Sequence, residues 1–293
     1  NNFSKGDLIM RKVLLATTAL VAMSVTAASA DVTIGGSYRF QYQVNNDAAN
    51  SSSSDGNITI KSSATADNGV TYGVVSNNGI HTGNVEDAYL SMSGDFGLIK
   101  MGMLDSALDD ADGILVGNQP YKGAGYATGS LVGQAITVGA ETNATVNFAS
   151  PSINGVKFVA SFDDTAGESG YGVSYSTGIV SIIVQSKTGG DDDETNGAIA
   201  MSVAGVGLNF STKNTTPATG TKTTNTGVAG SYSVGGINLV ASSESAKQGT
   251  RKDSHTSIGA TYTVAPGVTA AVEQFDDKVN GSKSSGTFFS LNV

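Results

Sequence analysis

The chain contains no cysteine and no tryptophan, only 4 prolines in 293 residues, and a charged fraction of 14%. Zero cysteine excludes a disulfide framework and thiolate metal sites, so stability has to come from hydrogen-bond ladders and packing. The charge is too sparse for an ordinary water-facing surface, which carries roughly 25–35% charged residues. Long apolar runs are scarce too. After residue 30 no stretch approaches the roughly 20 apolar residues that a spanning helix needs. Basic residues are in deficit, 16 against 25 acidic, for a net charge of −9. Beyond residue 30 the balance is 13 against 24, or −11, which excludes nucleic acid as a natural partner.

The N-terminal segment reads as a secretory signal peptide. Arg11 and Lys12 form a positive start, Val13 to Val25 a short apolar stretch broken by Thr17, Thr18 and Ser24, and Ala28-Ser29-Ala30 a small-residue cleavage site. The expected division is a signal at 10–30 and a mature chain at 31–293 beginning with Asp31. Residues 1–9 match no part of this pattern. Lys5-Gly6-Asp7 can be encoded by a purine-rich stretch like a ribosome-binding site just upstream of Met10, so 1–9 reads as a non-native leader.

What the mature part has in abundance is alternation and glycine, 38 residues of it. Val32, Ile34, Tyr38, Phe40, Tyr42 and Val44 share one parity, and Thr33, Ser37, Arg39, Gln41 and Gln43 share the other. Side chains alternate across a strand, so one face can meet lipid and the other water. Asp67-Asn68-Gly69, Gly94-Asp95-Phe96-Gly97, Ser152 to Gly155, Thr177-Gly178, Gly205-Val206-Gly207, Gly235-Gly236 and Pro266-Gly267 read as short turns. Polar runs at 45–56, 77–84, 163–169, 187–194, 213–225, 243–254 and 276–283 read as longer loops. The runs between them number about 16, an even count of the kind that closes an antiparallel transmembrane β-barrel. One connection is out of scale, about 104–142, and loops of that length are usually functional.

The run Asp87-Ala88-Tyr89-Leu90-Ser91-Met92-Ser93-Gly94-Asp95-Phe96-Gly97-Leu98-Ile99-Lys100-Met101-Gly102 resembles a signature hairpin of the Gram-negative general porins, of the alphaproteobacterial type. Ser150-Pro151, Asn154-Gly155 and the strand Val156 to Phe162 are similar to the segment that follows the family's constriction loop, and Val32-Thr33-Ile34-Gly35-Gly36 is a typical start. The resemblance implies a passive channel for small hydrophilic solutes and ions in the outer membrane of a Gram-negative bacterium. It implies a homotrimer, embedded among lipid and lipopolysaccharide after handling by the barrel-assembly machinery. It also implies a third loop folded into the lumen, with acidic loop residues facing basic wall residues. Asp105, Asp109, Asp110 and Asp112 are the loop candidates, and Arg39, Lys61, Lys100 and Lys157 the wall candidates. For Arg39, Lys61 and Lys157, parity opposite an apolar face independently argues for an inward position, because charge is costly on a lipid face. Lys100 is equivocal, because Leu98 shares its face.

Two features depart from that family. Beyond residue 30 the only arginines are Arg39 and Arg251, so the transverse field at the narrowing is expected to be weak and net negative, which leans toward cations. The chain ends in Val293, whereas the alternation of Thr287, Phe289, Leu291 and Val293 predicts a further outward residue two positions beyond. Asp191, Asp192, Asp193 and Glu194 form an acidic run that could take calcium, but it lacks the Gly and ligand spacing of a calcium loop, and a solvated rim loop is the favoured reading. Tyr38, Tyr42, Tyr171, Tyr175, Tyr232 and Tyr262 lie at apolar parity and fit an interfacial girdle or ordinary cross-strand packing. His81 and His255, the only histidines, lie near loops with no third ligand, and no nucleophile motif suggests an enzyme. No cofactor is implied. The competing expectations are a substrate-specific channel, for which inward Phe275 and Phe288 would be an aromatic start, and a soluble adhesive or structural β-protein.

The expected processing is directly measurable. N-terminal sequencing of the chain purified from outer membranes should return Asp31 as the first residue, and a start at or before Met10 would overturn the signal assignment.

Overall fold

The computed structural model describes residues 31–46, 49–108, 131, 146–164 and 166–293. In chain order the strands are β1 (Asp31–Asn45), β2 (Ser51–Thr65), β3 (Thr71–Gly79), β4 (Val85–Gly94), β5 (Gly97–Met103), β6 (Val146–Ala149), β7 (Val156–Asp163) and β8 (Glu168–Ser176). They continue as β9 (Val180–Thr188), β10 (Asp192–Val203), β11 (Val206–Pro217), β12 (Thr223–Val234), β13 (Ile237–Gln248), β14 (Arg251–Ala265), β15 (Val268–Val279) and β16 (Ser282–Asn292). Each pairs antiparallel with its sequence neighbours, and β1 pairs with β16, so the 16 strands close into a barrel. The seam is sealed in both directions, by Tyr38 N–H to the Val293 carbonyl and Val293 N–H to the Tyr38 carbonyl, each at 2.9 Å. A soluble sandwich or solenoid is not what the chain forms.

Register separates the two faces around the whole circumference. Leu208 pairs with Met201 and Gly230, Leu239 with Tyr232 and Ala260, and Phe289 with Tyr42 and Val272. These apolar rungs point out and remain exposed, as they must where the surroundings are lipid. The intervening rungs point in and carry small and polar side chains with an occasional aromatic one: Ser211 with Ala198 and Gly227, Ser257 with Ser242 and Phe275. All six tyrosines expected at apolar parity face outward, and Tyr175, Tyr232 and Tyr262 lie close to the turns at one rim.

The two rims differ, but not as the polar runs suggested. One rim carries tight turns such as Asn154-Gly155, Ala204-Gly205 and Gly235-Gly236, where two successive residues take positive φ, the type I′ geometry that matches strand twist. Residues 31 and 293 lie at this rim. At the other rim most of the polar runs are strand rather than loop. Ser51 to Gly56 opens β2, Asp192 to Glu194 opens β10, and between β13 and β14 only Gly249 and Thr250 are free of the ladder. Above the apolar band both faces of these strands meet water, so the alternation that marks a half-buried strand vanishes while the backbone ladder continues. Residues 104–145 connect β5 to β6, and of these 104–108 and 131 are described.

The faces should respond oppositely to charge. Leu208→Arg, outward in the apolar band, should cost about 2–4 kcal/mol. Ala229→Arg, inward one strand away, should be nearly neutral. Reversible urea unfolding from lipid vesicles measures both.

Candidate functional site

The inner face is where charged side chains gather. All four basic residues expected on the wall are on it, Lys100 included. Arg39 Nη2 lies 3.5 Å from Asp55 on the adjacent strand. Lys61 pairs across the ladder with Thr33 and Val75, and Val75 in turn with Tyr89. The Lys100 ammonium sits 5.4 Å over the centre of the Tyr89 ring, which favours a cation electrostatically. Lys61 on β2 and Lys100 on β5 thus lie on the same side of the inner wall, with β3 and β4 between them. Lys157 is apart, one residue into β7, and Arg39 is apart toward the opposite rim, so the four do not form one cluster.

The described residues of the long connection attach to this inner face at two places. At its start, Asn147 Nδ2 donates to the Asp105 carbonyl (2.7 Å), Ala107 N–H to Ser161 Oγ (3.4 Å), and Gln185 Nε2 to the Leu108 carbonyl (2.7 Å). Ala107 and Leu108 are buried against Val159. The wall is notched to receive them: a Cβ at Gly170 would meet Leu108 Cδ1 at 2.6 Å, and one at Gly172 would meet Val159 Cγ2 at 2.8 Å. Several strands further round, Leu131 N–H donates to Asp253 Oδ2 (3.0 Å), and Asn225 Nδ2 to the Leu131 carbonyl (3.4 Å). Asp105 is exposed, with its backbone held as described. Asp109, Asp110 and Asp112 lie outside the described residues.

Two charge groups escaped the sequence reading. On β13–β15 an acidic wall comprises Glu244, Asp253, Glu273 and Asp277, all essentially buried. Arg251 clamps Asp253 through Nε (3.1 Å) and Nη2 (2.6 Å), and Asn280 N–H adds a third bond at 2.9 Å. His255, far from being a loop residue, is buried on this wall with Nδ1 2.8 Å from Asp277 and its ring stacked on Phe275 at 6.2 Å. Phe275 and Phe288 do face inward, but they pack with Ala271 into a small core and are buried, so they offer no aromatic track to a solute. The second group is a row of alternating sign on β8–β11: Lys187 Nζ to Glu168 at 3.0 Å and Lys213 Nζ to Glu194 at 2.7 Å. Inward parity was the available signal for both groups, but all of these residues except Glu273 lie in runs taken for loops, where parity was not applied.

The acidic run proposed for calcium is dispersed by the same geometry. Asp193 points outward and accepts Gly189 N–H, whereas Glu194 points inward and is engaged by Lys213 and by Thr215 Oγ1 (3.2 Å). Among the described residues no three acidic or histidine side chains are grouped to hold a metal.

The notch on β8 is testable. Gly170→Val fills the space of the Leu108 side chain, so amide hydrogen exchange at Ala107 and Leu108 should accelerate while the rest of the ladder stays protected. Unchanged protection there would mean that the segment is not held by this wall.

A family model described as Gram-negative porin matches residues 16–293. No curated protein matches the chain. Among solved structures, the anion-selective porin of Comamonas acidovorans superposes with a TM-score of 0.72 at 13% identity, over 90% of this chain and 99% of that one. Outer-membrane expressed OmpT of Vibrio cholerae gives 0.70 at 13%, over 92% and 98%. A variant of the Rh. blastica porin gives 0.69 at 17%, over 89% and 99%. At these identities the likeness is one of fold, and it is the sequence model, spanning nearly the whole chain, that assigns the family: the chain belongs to the Gram-negative porins, β-barrel proteins of the outer membrane.

Proposed function

We propose that this porin is a passive diffusion channel for small hydrophilic solutes and ions, narrowed by the connection between β5 and β6. The observation that supports the reading is the attachment of that connection to two separate parts of the inner wall, through Leu108 on β8–β9 and Leu131 on β12–β14. Permeation then needs no chemistry: polar inward rungs stand in for hydration, that connection limits size, and fixed charges bias which ions pass.

We assign the channel a preference for cations. The acidic wall of β13–β15 and the net charge of −11 beyond residue 30 support it, set against Lys61 and Lys100 on the facing strands. The anion preference of the Comamonas protein is a property of that protein, at 13% identity. Asp105, Asp109, Asp110 and Asp112 remain the loop carboxylates assigned to the narrowing, with Arg39, Lys61, Lys100 and Lys157 as wall cations. Removal of 10–30 as a signal peptide, delivery through the barrel-assembly machinery and assembly as a homotrimer complete the proposal. One similar structure is the trimer form of OmpT.

Single-channel recording in a planar bilayer under a salt gradient tests it. Stepwise conductance with a cation-selective reversal potential is expected. Lys61→Gln with Lys100→Gln should strengthen that selectivity, and Glu244→Gln with Glu273→Gln should weaken it. Correctly inserted protein without conductance would sink the channel reading. Saturable block of the current by one solute would replace it with a substrate-specific channel.

A further inference from the structure

The inner face is not charged throughout. On β9–β13, toward the rim of tight turns, it opens into a recess of about 360 Å³ beside the turn Thr177-Gly178-Ile179. Among the described residues no acidic, basic or histidine side chain lines it. Register builds the recess from two rungs. One runs Ser202, Gly207, Ser231, Val240, and the other Ser181, Ala200, Asn209, Ala229. None of these side chains is longer than asparagine, so the space above them stays open. The volume is at the low end of the roughly 300–1,000 Å³ of ligand pockets, which suits a small solute.

The two rungs form a checkerboard. Along each, a hydrogen-bonding side chain alternates with a hydrogen, a methyl or an isopropyl group. From rung to rung the polar groups step diagonally: Ser181 to Ser202, Ser202 to Asn209, Asn209 to Ser231, and Ser231 to Asn238 on β13. Diagonal neighbours on one face of a sheet are about 7–8 Å apart, a spacing that a molecule with several hydroxyls can bridge. Both ends of this zigzag are held in place. Ser181 Oγ is 2.8 Å from Ser176 Oγ, and Ser233 Oγ donates to Asn238 Oδ1 at 2.9 Å, which keeps the Asn238 amide nitrogen as a donor. In the middle Gly207 makes the room, because a Cβ there would overlap Ser231 Oγ.

We propose that this recess binds a neutral polyhydroxylated solute of monosaccharide size, its hydroxyls on the zigzag and its C–H groups on Ala200, Ala229 and Val240. A sugar ring carries the matching pattern, O–H and C–H groups in alternation. An ion gains nothing from a lining without charge, and an anion also meets the net charge of −11 beyond residue 30. No aromatic ring lines the recess among the described residues, so the affinity is expected in the millimolar range. The recess is separate from the attachments of the long connection. Gln185 and Asn225, which hold Leu108 and Leu131, are each four residues along their strand from Ser181 and Ala229, about 13 Å at the rise of an antiparallel strand. A solute is therefore held in the wall on the tight-turn side while ions continue to pass. The inference rests on the reading of the barrel as a water-filled channel and adds a solute class to it.

The test uses the mature chain, isotope-labelled and refolded in detergent micelles, with D-glucose and D-glucuronate as probes. Amide chemical shifts at Ser181, Ser202, Asn209, Ser231 and Asn238 should move saturably with glucose, with a millimolar midpoint, while those at Lys61 and Lys100 stay. Glucuronate, the same ring with a carboxylate, should bind several-fold more weakly. Ser202→Ala, Asn209→Leu and Ser231→Ala combined should weaken glucose binding at least about tenfold. Gly207→Ala removes no polar group but displaces the Ser231 hydroxyl, and should weaken it about threefold. Ser63→Ala, an inward serine near the same rim on β2, should leave it unchanged. Unshifted amides at Lys61 and Lys100 in each variant show that it is folded. No saturable shift in the parent, equal binding by the triple variant, or equal binding of glucuronate would each overturn the proposal. Glucose should leave the ion current of the parent in a planar bilayer unblocked. Saturable block would put the solute in the narrowing and overturn the proposal as well. A parent that binds glucose at these residues without conducting would support the recess and count against the channel.

Discussion

A backbone carried through lipid has nowhere to send its N–H and C=O groups except to itself, and an unsatisfied group there costs several kcal/mol. An antiparallel sheet meets that demand only if it has no edge. The pairing of β1 with β16, completed by the reciprocal Tyr38–Val293 bonds, is what removes the edge, and everything else follows from closure. A closed sheet has an inside and an outside along every strand. Parity then decides, residue by residue, whether a side chain meets lipid or water.

Closure also explains why charge is so sharply sorted. A 14% charged fraction would be thin on a globular surface, but the outer band here needs none. The charges that exist are spent inside or above the band. Inside, they pair across neighbouring strands, as in Lys187–Glu168, Lys213–Glu194 and His255–Asp277, or accumulate with one sign, as on β13–β15. Above the band the ladder persists with polar residues on both faces, and there the cross-strand lysine pairs of β13–β16 arise, Lys247 with Lys252 and Lys278 with Lys283. The connection between β5 and β6 uses the same inner wall as its support. Its Leu108 occupies the space left by Gly170 and Gly172, and its Leu131 is held through a carboxylate that Arg251 and Asn280 also fix.

The alternating residues of the amino-acid sequence were enough to determine the barrel, its strand number, the outward tyrosines and the inward placement of Arg39, Lys61 and Lys157. All of these depend on a period of two, which is local and survives without knowledge of partners. The type I′ turns were legible for the same reason, in pairs such as Asn154-Gly155 and Gly235-Gly236. Only the tertiary structure decided where that signal stops. Runs such as 187–194 and 243–254 looked like loops because both faces are polar above the membrane, although the ladder runs on through most of each. For that reason Glu244, Asp253 and Asp277 could not be joined to Glu273 as one wall, nor Lys247, Lys252, Lys278 and Lys283 seen as one row. Their convergence depends on the register between strands, and register is a relation between distant parts of the chain that no single segment carries.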